Sequence, residues 1–194
     1  MKTKLLLLTA LISLQFAVYG QQKYSLDQAK SKLTVEGTST VHDWIMNSTV
    51  FSGTLLFETD GTLPLTILDV RFNCKANKIL SDNSVMDNKT HKALDAEKHP
   101  DITFNFKSVK SYKKQNTDFS GEITGNLSIA GKSRSITLPF SGKVNVSGIM
   151  QIKGVVQLKM TDFNIDPPTA MLGALKTGDE VKISYDFQFV KSIN

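Results

Sequence analysis

The chain has 194 residues, 40% of them hydrophobic, a formal net charge of +5 and a single cysteine. That length suits one domain, and one cysteine excludes an intramolecular disulfide. The lysines and arginines are scattered, with only Lys113-Lys114 adjacent, so the mild positive charge does not point to nucleic acid.

Residues 1–20 read as a secretory signal peptide. Lys2 and Lys4 form a positive start, Leu5 to Val18 an apolar run, and Gly20 with Val18 fits a processing site before Gln21. The run is shorter than the roughly 20 apolar residues a bilayer core requires. No cysteine lies near the cleavage point, so a lipoprotein anchor is not expected. The expected mature chain, residues 21–194, is periplasmic or secreted, with no stable membrane insertion after cleavage. It is long enough to bury roughly 70% of its unfolded surface. Loss of the leader removes two lysines and lowers the formal charge to +3.

Period-two alternation dominates the mature chain. Short stretches occur at Leu33 to Val35 and Phe51 to Phe57. Leu68, Val70, Phe72, Cys74 and Ala76 then alternate with Asp69, Arg71, Asn73 and Lys75. Further stretches cover Ile102 to Phe106, Ile123 to Ile129, Ile136 to Phe140 and Val144 to Val146. Ile152, Gly154, Val156, Leu158 and Met160 form one face of the next, with Val155 an apolar exception on the other. Val181, Ile183, Tyr185, Phe187 and Phe189 form one face of the last. Successive side chains of a strand point to opposite faces, so each segment has one oily and one wet side. Asp60-Gly61, Gly131-Lys132, Ser141-Gly142, Ser147-Gly148 and Gly178-Asp179 mark turns. Short links favour antiparallel pairing. About eight or nine strands suit a closed up-and-down barrel, and a two-sheet sandwich fits the periodicity equally well. Pro139 cannot donate to a ladder and is expected at a strand end or bulge.

Two segments break the alternation. Asp82 to His99 predicts a short or broken helix capped by Asp82, Asn83 or Ser84 and stopped by Pro100. Asp166 to Thr177 reads as an apolar loop with at most one helical turn.

Residues with chemical potential are few. Gly131-Lys132-Ser133 has Asn126 where a phosphate-binding loop needs glycine, and a strand follows where that loop needs a helix. His42, His91 and His99 lack neighbours at catalytic or metal-ligand spacing, and adjacent His42 and Asp43 would face opposite ways in a strand. Asp162, Asp179 and Glu180 suit turn chemistry better than acid–base catalysis. Cys74, on an oily face, reads as a buried inert thiol. No catalytic residue, metal or cofactor is expected. An eight-stranded barrel can be filled by its own side chains or hold one small ligand. Gly125 and Gly154 on oily faces hint at interior space.

Several motifs in order carry a family resemblance. Tyr24-Ser25-Leu26-Asp27-Gln28-Ala29-Lys30-Ser31 opens the series, and Thr38-Ser39-Thr40-Val41-His42-Asp43-Trp44 comes second. Next come Met86 to Asp95, Glu97-Lys98-His99-Pro100-Asp101-Ile102-Thr103-Phe104 and the run Ile123 to Leu138. Thr161-Asp162-Phe163-Asn164-Ile165 and Leu175 to Val181 complete it, with Lys30 and Asn164 departing from the usual pattern. Together they resemble the YceI-like family of exported, lipid-binding barrels. The resemblance implies an all-β, lipocalin-like, antiparallel up-and-down barrel with one or two short helices. It also implies an interior that holds a polyisoprenoid, an isoprenoid quinone or a fatty-acyl lipid, in a carrier or storage protein. The cavity would then be lined by Phe72, Phe104, Phe106, Leu127, Ile129, Leu138, Phe140, Val156, Leu158, Tyr185 and Phe187. His42, Trp44, Met86, Leu94, Met171 and Leu172 would form its mouth or lid. The alternatives are a lipid-modifying enzyme using His42 or His91, and a solid-core structural or stress protein.

Overall fold

The computed structural model describes residues 20–59, 64–170 and 173–192. The expected signal peptide, the Asp60-Gly61 turn, Met171 and Leu172 fall outside the described residues, Gly20 excepted. The strands are β1 (Gly20–Leu26), β2 (Lys32–Ser39), β3 (Trp44–Ser48), β4 (Phe51–Thr59), β5 (Pro64–Lys75), β6 (Ile79–Leu80), β7 (Asp101–Gln115), β8 (Asp118–Ile129), β9 (Lys132–Val144), β10 (Met150–Lys159), β11 (Thr169–Ala170) and β12 (Leu175–Lys191). One α-helix, α1 (Ser84–Ala93), lies between β6 and β7.

Pairing runs β1-β4-β5-β7-β8-β9-β10-β12, and β12 pairs back onto β1. Every ladder is antiparallel, so these eight strands close an up-and-down barrel. The β1–β12 pairing decides between barrel and sandwich, because a ring has no free edge.

Beyond the ring, β12 also pairs β2, β2 pairs β3, and β3 pairs β6. Thus β1 and β2 are two halves of one strand, broken by a 3-10 turn at Gln28–Lys30. A gap at Thr49-Val50 separates β3 from β4, and a 3-10 turn at Ala76–Lys78 separates β5 from β6. The three breaks lie side by side and are stitched together. Gln28 Nε2 donates to the Thr49 carbonyl at 2.8 Å, and Gln28 Oε1 accepts from the Phe51 amide at 3.2 Å. The Thr49 amide donates to the Lys78 carbonyl at 2.8 Å. A side chain here supplies bonds that an unbroken ladder would have supplied.

The up-and-down path gives the barrel two different ends. The helix end gathers the β2–β3 turn, residues 76–100, the Ala130-Gly131 turn and the segment between β10 and β12. The base end has the tight Asn116-Thr117 turn, the Asn145 to Ile149 loop, the start of β1 and the end of β12. Its interior is aromatic. Phe57 meets Tyr24 and Phe119 edge-on, with centroids at 6.1 and 6.3 Å, and Phe119 also packs on Tyr112 and Phe140. A second aromatic group at mid-barrel stacks Phe187 on Phe72 at 5.4 Å and on Tyr185 at 5.3 Å.

Local geometry corrects several sequence expectations. Ser141-Gly142 and Gly178-Asp179 lie inside β9 and β12 rather than in turns, and Pro139 sits in mid-β9 opposite Glu122. Leu68 does not share the inward face with Val70, because the β4–β5 ladder slips there: Leu56 faces Asp69 but Phe57 faces Ile67. Leu68 is therefore the bulged residue, 36% exposed, and Ile67 takes the buried place at 7%. Gly125 and Gly154 do not leave open space. A Cβ on Gly125 would fall 2.3 Å from the Phe104 ring, and one on Gly154 would fall 2.2 Å from the Tyr185 hydroxyl. These glycines make room for aromatic side chains from neighbouring strands.

Candidate functional site

The barrel interior holds a cavity of about 530 Å³. Its deep walls are aliphatic and aromatic, including Leu55, Phe57, Phe119, Ile123 and Phe189, all buried. Tyr24, Met150 and Val144 are buried beside the same core without bordering the cavity. Towards the helix end the bordering residues become exposed and polar: His42, Asn83, Lys89 and Lys159. The cavity therefore reaches the surface at the helix end.

Ten of the eleven expected cavity residues border it: Phe72, Phe104, Leu127, Ile129, Leu138, Phe140, Val156, Leu158, Tyr185 and Phe187. Phe106 does not. It packs against the buried core, and the β7–β8 ladder slips immediately after it, between Phe106 and Ser108. Phe106 still pairs in register opposite Gly125, so its ring packs on the inward core without reaching the cavity. Of the expected mouth residues, His42, Trp44, Met86 and Leu94 border the cavity.

Local chemistry explains how the mouth is built. Asn83 caps α1, its Oδ1 accepting from the Val85 amide at 2.9 Å and the Met86 amide at 3.3 Å. His91 Nε2 lies 3.0 Å from the Ile79 carbonyl, tying the helix to β6. The Trp44 indole donates to the Thr38 carbonyl at 3.0 Å, and its ring covers Gly37, where a Cβ would fall 2.2 Å from it.

The opposite side of the mouth is a clasp between two of the sequence motifs. A 3-10 turn at Met160–Phe163 ends on Asn164 in the left-handed region, φ 58°. Asparagine tolerates that conformation better than most residues, so it serves in place of glycine. Phe163 and Ile165 on either side are buried and border the cavity. Asp179 holds the turn from β12, accepting from the Thr161 amide at 2.9 Å and the Thr161 hydroxyl at 2.7 Å. These bonds lower the Asp179 pKa. Arg134 Nε donates to the Asp162 carbonyl at 2.7 Å from β9.

Other ionisable groups sit quietly. Cys74 borders the cavity with its Sγ 3.1 Å from Ser48 Oγ, and burial pushes its thiol up, away from the reactive thiolate. Tyr185 donates to the Pro139 carbonyl at 2.6 Å, and burial raises its pKa. Among the described residues no group of three His, Cys, Asp or Glu is placed to hold a metal.

Several lining residues escape a reading of the sequence alone. Phe119 lies two alternating steps before Ile123, where Gly121 hides the pattern. Phe163 and Ile165 lie in a motif that reads as turn chemistry, and only the closure of the ring brings them over the cavity.

Comparison with known proteins fits this geometry. The YceI-like domain family matches residues 24–189. BcnA from Burkholderia cenocepacia superimposes with a TM-score of 0.68 at 19% identity, covering 84% of this chain and 98% of that one. A polyisoprenoid-binding domain from Saccharophagus degradans, implicated in plant cell wall breakdown, gives 0.67 at 13% identity, covering 87% and 98%. A Campylobacter jejuni YceI protein gives 0.59 at 20% identity, covering 77% and 85%. No curated protein sequence matches the chain.

Proposed function

The chain belongs to the YceI-like domain family, and from that premise we propose that its barrel binds a long-chain amphiphilic lipid of isoprenoid, quinone or fatty-acyl type. The observation that carries the proposal is the apolar cavity of about 530 Å³ that reaches the surface at the helix end. Each buried methylene gains about 0.8 kcal/mol. Some ten methylenes would supply roughly 8 kcal/mol, the free energy of a micromolar complex, before the costs of association. The polar mouth suits the wet end of such a molecule. The similarity in fold to a polyisoprenoid-binding domain supports the same reading.

The role that fits is a carrier or store, exported by residues 1–20 and working in the periplasm or outside the cell. His42 and Trp44, with Met86 and Leu94, would border the path of entry, and Met171 and Leu172 would join them. The test is organic extraction of the purified protein followed by mass spectrometry. A stoichiometric prenyl or acyl chain is expected; a repeatedly empty extract, with no uptake of added lipid, would overturn the proposal. Amino-terminal sequencing of exported material should find Gln21 or a near neighbour first.

A further inference from the structure

The described residues include seven large, exposed hydrophobic side chains, and three cluster at the helix end. Val41 is 61% exposed in the β2–β3 turn, Ile45 is 51% exposed on the outer wall of β3, and Val85 is 62% exposed in the first turn of α1. These positions surround the mouth. His42 and Trp44, between Val41 and Ile45 in sequence, both border the cavity, and so does Val85 itself. Apolar side chains thus stand on the outer surface beside the polar rim.

The charges nearby are arranged in keeping with this. Among the described residues no aspartate or glutamate borders the cavity, whereas Lys89 and Lys159 do so at the mouth. Lys89 Nζ reaches 3.5 Å from the Thr169 carbonyl, so it leans from α1 toward the far rim. Apolar tips projecting beyond a ring that carries ammonium groups match the profile of a bilayer, with hydrocarbon under a layer of phosphates. Asp43 lies in the β2–β3 turn, Asp82 just before α1, Asp87 in its first turn and Glu36 opposite Ile45, so apolar contact must dominate the binding, with a smaller contribution from charge.

From this geometry we infer that the helix end docks on a phospholipid bilayer, with Val41, Ile45 and Val85 entering the headgroup boundary and the mouth facing the membrane. The inference rests on the lipid-binding reading above. A cargo with long hydrocarbon chains has almost no free concentration in water, so an efficient carrier loads from a membrane in contact with it. Docking by the mouth lets the chain slide from bilayer to barrel without crossing water.

The test is co-sedimentation of the protein with phosphatidylcholine vesicles, with and without phosphatidylglycerol, alongside uptake of a fluorescent fatty acid delivered from ethanol in vesicle-free buffer. Wild-type protein is expected to bind both kinds of vesicle, somewhat better with phosphatidylglycerol. The double variant V41S/I45S removes two outward side chains that do not border the cavity. It should lower vesicle partitioning about tenfold and leave vesicle-free uptake and the melting temperature unchanged. Val146→Ser is the control. Val146 is also exposed, and more fully, but it lies in the β9–β10 loop at the base, and its loss should change nothing. Equal vesicle binding by wild type and V41S/I45S, or an equal loss in Val146→Ser, would overturn the docking face. Uptake without any vesicle binding also overturns docking and leaves the carrier reading intact. Mouth-dependent vesicle binding without uptake does the reverse.

Discussion

The two ends of this barrel solve the same problem in opposite ways. At the base, strands run to tight turns and aromatic rings fill the interior: Phe57, Phe119, Phe140 and Tyr24 are all buried. At the helix end three neighbouring strands break, and the space between them is closed by α1 and a clasped turn. Regular ladders and dense packing resist opening; segments held by a few side-chain bonds do not. The base makes the barrel stable, and the helix end lets its interior communicate with solvent. One closed sheet can therefore be rigid and accessible at once, provided the two properties are kept at different ends.

The contrast is sharpened most by a charge at the junction of the two regions. Phe104 is 3% exposed and packed over Gly125. Phe104→Asp buries an unpaired carboxylate, so the protein should fail to fold or melt at a far lower temperature, with loss of bound lipid. Unchanged melting and lipid content would place Phe104 outside. The next largest effect is expected at the base, where Phe119→Ala should cost about 3–5 kcal/mol. Leu94→Ala, at the half-buried helix end, should cost much less and instead speed lipid exchange. Chemical denaturation with a fluorescent lipid in each variant would read both quantities, and equal destabilisation would erase the distinction between the ends.

Backbone changes should be smaller. Gly125→Ala pushes a methyl into the Phe104 ring and the Asn105 carbonyl, at a cost of roughly 1–3 kcal/mol. Asn164→Ala forces alanine into the left-handed region at roughly 1 kcal/mol, whereas Asn164→Gly should match or exceed wild type. Thermal melts of the two Asn164 variants compare them directly.

The smallest effects are those of pH, and they differ in sign between the ends. Burial pushes Tyr112, at the base, from its ordinary value near 10 to about 12. A raised pKa in the folded state means a contribution that is complete below the unfolded value. It should be lost as pH climbs from about 10 towards 12. The Thr161 hydrogen bonds lower the Asp179 pKa at the helix end. Its contribution is complete above the ordinary carboxylate value and is lost as pH falls through the lowered one. Hydrogen exchange should accordingly show base-end amides opening first in alkali and the Thr161 amide opening first in acid.

Much of the base is legible in the sequence and little of the helix end is. Alternation from Ile152 to Met160 and from Val181 to Phe189 names inward residues correctly because β10 and β12 pair there without a slip. The same rule fails at Leu68, where a bulge shifts a face without marking the sequence. Asp82 to His99 stands out as a break from strand, with Asn83 among its candidate caps. The broken strands beside it do not, since Gln28, Thr49 and Lys78 act only through each other's positions. Nor can periodicity separate barrel from sandwich. That choice rests on Leu26 meeting Phe189, a contact no local pattern encodes.

That last contact also orders events as the chain folds. Hairpins such as β7–β8 and β8–β9 join neighbours across tight turns and can form early. The Tyr24–Lys191 pairing spans nearly the whole chain, and closing so long a loop is entropically costly and slow. Until it forms, the sheet has two bare edges and its oily face is open to water, a form prone to aggregation. The interior space exists only after closure. A lipid that occupies it binds the closed ring alone and shifts the equilibrium towards it by mass action. A lipid bound as proposed would thus complete the assembly of the barrel that holds it.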